Sequence, residues 1–327
     1  YEQLKGSKKM AKILITGGAG FIAYHLAQKL QAEGHRVCGF DNYNDYYDVD
    51  LKYARARSLA TRGIEVIKGD LVNLVDVDFA VTTFAPDIVM HLGAYAGVRH
   101  SLDHPRLYLE NNINGTHNLI EVCEKRGVNK IIYASTSCVM AGNEMPWNES
   151  EKLGYQLNAY GYSKATNEAQ FMASKVPVAI GLRFFTVYGP WGRPDMALFT
   201  FTKSIIDGTP IKLFNYGDMI RDFTYIDDIV QGINIVINRA INTTQNLKEV
   251  YNIGNGEQVQ LLDFVSEIEK NVGKEAIREL VEKHPADTQA TWSDTTKLQA
   301  LGYKPTTAVK VGVAKFVEWY KEYYEIV

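Results

Sequence analysis

The segment KILITGGAGFIAYHLAQKL, Lys12 to Leu30, changes its period midway, and that change constrains the fold more than any other feature of the chain. Lys12 to Thr16 is a short β-branched apolar run that stops at Gly17, the pattern of a buried strand. From Phe21 onward apolar positions recur every four residues, at Ile22, Leu26 and Leu30, and Gly34 supplies a helix stop. The pattern then repeats. Arg36 to Phe40 predicts a second strand ending at Asp41, and IEVIKGD, DIVMHLG and KIIYAS predict three more, separated by helical stretches such as Arg106 to Arg126. Strands alternating with helices imply right-handed crossovers and a mostly parallel sheet, and such sheets bind ligands at the carboxyl ends of their strands. The predicted class is α/β, a doubly wound parallel sheet over residues 11–188. After about Gly189 the rhythm loosens into loops, short strands and helices, read as a smaller C-terminal α/β lobe over 189–327 with an interleaved boundary.

Gly17, Gly20 and Ala23 in TGGAGFIA fit a GxxGxxA loop between strand and helix. A tight turn there lets backbone approach a pyrophosphate and brings the helix amino end to its charge. A glycine loop alone is weak evidence, since a tight turn between strand and helix has the same appearance. Here Asp41 ends the next strand, at the spacing of an acid that accepts from the adenosine ribose hydroxyls and repels a 2′-phosphate. NAD is therefore expected in preference to NADP. Asp70, ending the third strand, has two readings: an acceptor for the adenine amine, or a helix-capping residue. Phe21, Ile22, Asn42, Leu71, Leu92 and Asn112 complete the expected cofactor contacts.

NAYGYSK places Tyr160 four residues before Lys164 in a segment that continues helically, which puts both side chains on one face. A nearby ammonium stabilises phenolate and lowers its pKa from about 10 toward the range of a general base. Tyr162 at the same spacing meets only Thr166. The strand YASTS precedes this helix, and a strand-end hydroxyl, a tyrosinate and a lysine beside a nicotinamide make a hydride-transfer site.

TGGAGFI, the Tyr160 and Lys164 pair and the intervening hydroxyls resemble the extended short-chain dehydrogenase/reductase superfamily. DNYNDYYDVDLKYAR (41–55), HLGAYAGVRHSLDHP (91–105), GLRFFTVYGPWGRPDMALF (181–199) and YGDMIRDFTYIDD (216–228) resemble its UDP-glucuronate 4-epimerases. The resemblance implies a Rossmann domain holding NAD and a UDP-sugar lobe, usually in a homodimer formed through two helices per subunit. It implies Tyr160 as base, Thr136 as the hydroxyl assisting it, and Lys164 holding the ribose. Inversion at C4 then proceeds through a 4-keto sugar with no net consumption of NAD.

A 4-keto hexuronate is a β-keto acid, so loss of CO2 is its accessible side reaction. Related 4,6-dehydratases carry Asp-Glu where this chain has Ser137-Cys138, and related UDP-glucuronate decarboxylases carry Glu at the position of Cys138. UDP-galactose 4-epimerases place Asn at the position of Thr186. Neutral Ser137, Cys138 and Thr186 are thus expected to hold a uronate carboxylate, where a carboxylate would repel it; the bland alternative makes Ser137 and Cys138 small packing residues. Arg193 and Arg221 are candidates for a diphosphate or carboxylate, and the resemblance assigns Arg221 to the diphosphate and Asp287 to the uridine ribose. Met140-Ala141 replaces the usual Tyr-Gly, and a shifted substrate preference or local loop is the expected consequence.

Composition closes other routes. A net charge of −3 gives no electrostatic case for nucleic acid or an acidic membrane as the main partner. No apolar run is long enough to suggest a membrane span. Cys38, Cys123 and Cys138 are scattered and lack metal-ligand spacing, so no metal and a reducing cytoplasm are expected. Residues 1–10 are read as an N-terminal extension foreign to the natural chain. The favoured activity is C4 epimerisation of UDP-glucuronic acid to UDP-galacturonic acid, as in polysaccharide precursor synthesis. The alternatives are 4-epimerisation of UDP-glucose or UDP-N-acetylglucosamine and, more remotely, UDP-glucuronate decarboxylation.

Overall fold

The computed structural model describes residues 9–285 and 287–326; residues 1–8 of the expected N-terminal extension lie outside the described residues. Seven parallel strands form the central sheet: β1 (Lys12–Thr16), β2 (Arg36–Asp41), β3 (Val66–Lys68), β4 (Ile88–His91), β5 (Lys130–Thr136), β6 (Val178–Phe184) and β7 (Leu247–Ile253). Their spatial order is 7-6-5-4-1-2-3. The direction of winding reverses between β1 and β4, whose register pairs Thr16 with His91. A crevice must open beyond the carboxyl ends of those two strands.

Burial on both faces explains why these strands read as continuous apolar runs. Ile13 and Ile15 join the core on one side of the sheet, while Leu14 joins the core on the other. The first core does not stop at the sheet. It continues through Tyr188, Phe199, Ile233 and Phe264 to Phe316, so the range 189–327 shares one apolar interior with the sheet. It also returns β7 to the sheet edge beside β6 and packs the helix Ile226–Asn242 against α1 (Phe21–Ala32). The looser rhythm after Gly189 concealed this seven-residue strand.

Other differences have local causes. The single helix expected over Arg106 to Arg126 is three pieces: a turn at Pro105–Tyr108, a π-helical segment at Leu109–Asn114 and a regular helix at Gly115–Arg126. The wide turn lets Asn112 reach inward, where its amide donates to Tyr95 O (2.9 Å) and accepts from Tyr95 N (2.8 Å). α2 (Val49–Ala60) is capped by Asp48 and α3 (Leu74–Phe84) by Asn73, which removes the capping role considered for Asp70. The helix carrying Tyr160 and Lys164 runs Ala159–Ala173. Gly161 falls in its first turn, where its N–H donates to the Asn158 cap at 2.8 Å, so it does not interrupt a helix interior.

Candidate active site

One cavity of about 910 Å³ opens at the predicted crevice and extends under the C-terminal part of the chain. Its inner end is built by backbone. Gly17 has φ +69°, and a Cβ there would stand 2.9 Å from Gly93 Cα; a Cβ on Gly20 would stand 2.8 Å from Gly17 O. Only hydrogen fits at these places, which lets the loop turn tightly under the amino end of α1. That helix starts at Gly20 with no side-chain cap, leaving its first N–H groups for a ligand. Asp41 closes the loop: its carboxylate accepts from Ala19 N at 3.0 Å and Tyr43 N at 2.8 Å. Asn42 donates to Asp70 at 3.0 Å. Phe21, Ile22, Asp41, Asn42, Asp70, Leu71 and Leu92 all line the cavity, a cradle whose shape and donors fit a dinucleotide.

Asn112 stands apart from the other expected cofactor residues. It is fully buried and does not line the cavity, because its side chain is committed to Tyr95 and, at 3.0 Å, to Ser163. The neighbouring Asn111 reaches the cavity instead.

Thr136, Tyr160 and Lys164 all line the cavity, Thr136 beside Tyr160 and Lys164 against the strand that carries Thr136. Thr136 ends β5, and its hydroxyl accepts from Cys138 N at 3.3 Å. Lys164 is buried and donates to Ala134 O at 2.9 Å. Burial lowers its pKa to about 8. The Tyr160 phenol moves opposite to the sequence expectation. Burial first, then the Cys138 thiol, push it up to about 12, while Thr136 and Arg193 pull it back only in part. Lys164 is not among the groups that shift it, consistent with an ammonium turned toward a backbone carbonyl. Behind this trio, Glu168 is clamped by Arg183 at 2.9 Å and receives the Ser135 hydroxyl at 2.5 Å, so Ser135 is occupied and Thr136 is the hydroxyl left beside Tyr160.

Ser137, Cys138 and Thr186, which follow the paired ends of β5 and β6, form a neutral stretch of the cavity wall, and Arg193, Arg221 and Asp287 line the same cavity. Met140 is absent from that surface. It is fully buried with Val139, Trp147 and Phe185, its sulfur 3.0 Å from Arg183 Nη1. The Met140 substitution therefore acts on the core behind the wall. Arg221 donates to three backbone carbonyls, those of Ile220, Thr288 and Gln289. Arg193 forms a two-pronged pair with Asp195, and Tyr46 donates to the same carboxylate at 3.1 Å. Burial opposes the Arg193 charge, but Asp195, Tyr46 and Tyr47 outweigh it and raise the pKa.

Four cavity residues had been given no role: Arg99, Lys52 and Asp195, which stand in quoted segments, and Phe214, which does not. Arg99 pairs with Asp287 at 2.6 Å and lies 3.7 Å over the Phe214 ring, joining the loop after β4 to the far side of the cavity. Lys52 and Asp195 flank the glycine loop and its cover. Arg99, Lys52 and Asp195 stand inside segments whose charge could have been noticed; Phe214 carried no signal.

A doubly wound sheet with a glycine loop at its reversal point, and a strand hydroxyl, tyrosine and lysine meeting in the adjoining cavity, define an extended short-chain dehydrogenase/reductase. More narrowly, the chain belongs to the NAD dependent epimerase/dehydratase family, whose model matches residues 13–254. It is 40% identical over 333 residues to Protein CapI of Staphylococcus aureus, covering 96% of this chain and 99% of the relative. It is 38% identical over 334 residues to a probable UDP-glucuronate 4-epimerase of Rhizobium meliloti (strain 1021), covering 96% and 98%. Among solved structures, it resembles the UDP-glucuronic acid 4-epimerase from Bacillus cereus in complex with UDP-glucuronic acid and NAD, with 34% identity, a TM-score of 0.87 and coverage of 96% and 100%.

Proposed function

We propose that the chain is a NAD-dependent 4-epimerase interconverting UDP-glucuronic acid and UDP-galacturonic acid through a 4-keto sugar. The observation that carries this reading is the wall of Ser137, Cys138 and Thr186 beside Tyr160, which offers hydroxyls and a thiol and no carboxylate. Hydrogen bonds from such groups to a carboxylate contribute about 1.5–3 kcal/mol each. The wall neither repels a uronate nor supplies an acid or base for elimination, which favours returning the keto sugar to a hexuronate over losing CO2.

In this reading Tyr160 takes the proton of the C4 hydroxyl, Thr136 hydrogen-bonds the same oxygen, and Lys164 holds the ribose and balances the tyrosinate. NAD, when bound, supplies a hydride acceptor and a positive charge at the nicotinamide, and is regenerated within each cycle. Burial and the Cys138 thiol raise the Tyr160 pKa, and the positive charge of the nicotinamide would favour the tyrosinate. Gly17, Gly20, Phe21 and Ile22 meet the pyrophosphate, Asp41 and Asn42 the adenosine ribose, and Asp70, Leu71 and Leu92 the rest of the adenosine pocket. Arg221 meets the UDP diphosphate, Arg193 covers the sugar, and Asp287 meets the uridine ribose. Residues 11–188 carry most cofactor contacts and 189–327 close over the sugar nucleotide.

A homodimer is part of the proposal, supported by exposed Leu109 and Met172 on the neighbouring helical segments that would pair. So is a reducing cytoplasmic setting, supported by three free thiols, and a role in polysaccharide precursor synthesis. Among the described residues no helix is long and apolar enough to cross a membrane.

The test is a proton NMR time course of the purified protein with UDP-glucuronic acid and catalytic NAD. UDP-galacturonic acid with little pentose product is the expected result. Turnover of UDP-glucose or UDP-N-acetylglucosamine, with none of the uronate, would reverse the assignment of the wall and leave the Tyr160 chemistry standing.

A further inference from the structure

Arg55 on α2 is fully buried, yet among the described residues no carboxylate lies within ion-pair distance of it and its Nε has no hydrogen-bond partner. Its other nitrogens reach backbone carbonyls of two separate segments. Nη1 donates to Ala19 O of the glycine loop at 3.1 Å and to Tyr47 Oη at 2.9 Å. Nη2 donates to Trp191 O at 2.6 Å and Gly192 O at 3.3 Å. One planar fork therefore joins the glycine loop to a strap, Pro190–Gly192, that leads directly into the cavity residue Arg193.

The strap is fastened a second time from α1, where His25 Nε2 donates to Pro190 O at 2.8 Å. Trp191, at φ +62°, is held in that conformation by ring contacts with Tyr24, Trp319 and Tyr323. Two residues on is Arg193, whose partner Asp195 is bonded to Tyr46. Glycine loop, strap and sugar cover thus form one continuous connection. Lys52, one helical turn before Arg55 and on the same face, is also buried, bonded to Asn44 O and Oδ1, and lines the cavity. Two buried cations beside an uncapped helix amino end make this a place that favours an anion.

We propose that Arg55 is a positioning residue that fastens the Pro190–Gly192 strap to the glycine loop, so that NAD leaves only when the strap lifts. Arg55 touches neither substrate nor reacting atoms. It acts by coupling the loop that meets the pyrophosphate to the segment that carries Arg193. An enzyme that regenerates its cofactor in place benefits from a fastening of this kind, because release between cycles stops turnover. The inference rests on NAD occupying the glycine loop and on nothing about the sugar, so its test uses no sugar nucleotide for the primary readout.

The experiment compares NAD release from the purified holoprotein and from its Arg55→Lys and His25→Leu variants, by the NAD retained through gel filtration and by stopped-flow displacement. Lys keeps the charge but cannot span both segments. Arg55→Lys is expected to release NAD about tenfold faster, and His25→Leu to shift it the same way by about threefold. In turnover of the protein's substrate, the apparent KM for NAD rises with the release rate while kcat at saturating NAD falls far less. Release unchanged within about twofold in Arg55→Lys overturns the proposal, as does a lowered melting temperature with unaltered release. If Arg55→Lys does not fold, His25→Leu decides: faster release supports the strap and unchanged release overturns it.

Discussion

The two ends of the cavity are built from different materials. The cofactor end is backbone: Gly17, Gly18 and Gly20 sit where a Cβ would fall at 2.6–2.9 Å from main-chain atoms, and its lining comes from the ends of successive strands β1 to β4. The sugar end is side chains brought from distant segments and held by charge, with Arg99 on Asp287 and Arg193 on Asp195 as its ion pairs. Steric construction tolerates no gradation, because a methyl group either fits or displaces main chain. Charged construction can be retuned one residue at a time. A family that keeps one cofactor and varies its sugars is served by this division of labour.

The largest effect is expected where the two ends meet. Tyr160→Phe removes the proposed base and should lower kcat by about 10²- to 10⁴-fold while leaving NAD binding intact; an unchanged kcat would remove Tyr160 from the chemistry. Thr136→Ala should lower kcat more than it raises KM, and equal changes would mark Thr136 as a binding group only. At the cofactor end, Gly17→Ala combines an unfavourable positive φ with a 2.9 Å contact on Gly93. Titration with NAD should show binding weakened by about 100-fold. At the sugar end, Cys138→Asp places a carboxylate in the neutral wall and should raise KM for UDP-glucuronic acid by about tenfold, with a smaller rise for UDP-glucose. Equal rises for both sugars would mean that the wall does not sense the uronate.

Acid separates the ends differently. His91 is buried between Thr16, at 2.7 Å, and Thr116, at 2.9 Å, beneath the cofactor loop. Burial, with a smaller contribution from Lys164, lowers its pKa from 6.5 to about 3. Between those values the unfolded chain binds the proton and the folded chain does not. Stability from this group is complete above pH 6.5 and is lost as pH falls, by up to about 1.4 kcal/mol per unit. His25, lowered to about 4 by burial, acts in the same direction. Calorimetry from pH 7 to pH 5 should show a falling melting temperature, with a shallower slope in His91→Asn.

The same contrast governs what could be read from sequence. Strand ends, the glycine turn, Asp41 and the Tyr160 and Lys164 pair follow from local sterics and helical period, which short windows contain. β7 was missed because seven residues among looser elements carry no signal that they return to an edge over sixty positions away. That Asn112 is buried while Asn111 lines the cavity could not be read from sequence, because nothing in it announces the π-helical turn that carries them. Arg55 and Lys52 stood in a quoted segment, but most of their partners are backbone carbonyls, which leave no trace in the sequence. For Tyr160, spacing revealed the ammonium at Lys164 and not the burial that raises the phenol's pKa.

The smallest effect tests the boundary between wall and core. Met140 stands in sequence beside the catalytic strand and invites a substrate role, but its side chain faces Arg183 and Trp147, away from the cavity. Met140→Leu conserves volume and loses only a sulfur contact to a guanidinium that Glu168 already holds with two bonds. It should cost about 1 kcal/mol of stability or less and leave kcat/KM for UDP-glucuronic acid and UDP-glucose in the same ratio. A changed ratio would mean that the core behind Ser137 and Cys138 sets the position of the wall, and that the sugar end is under steric control after all.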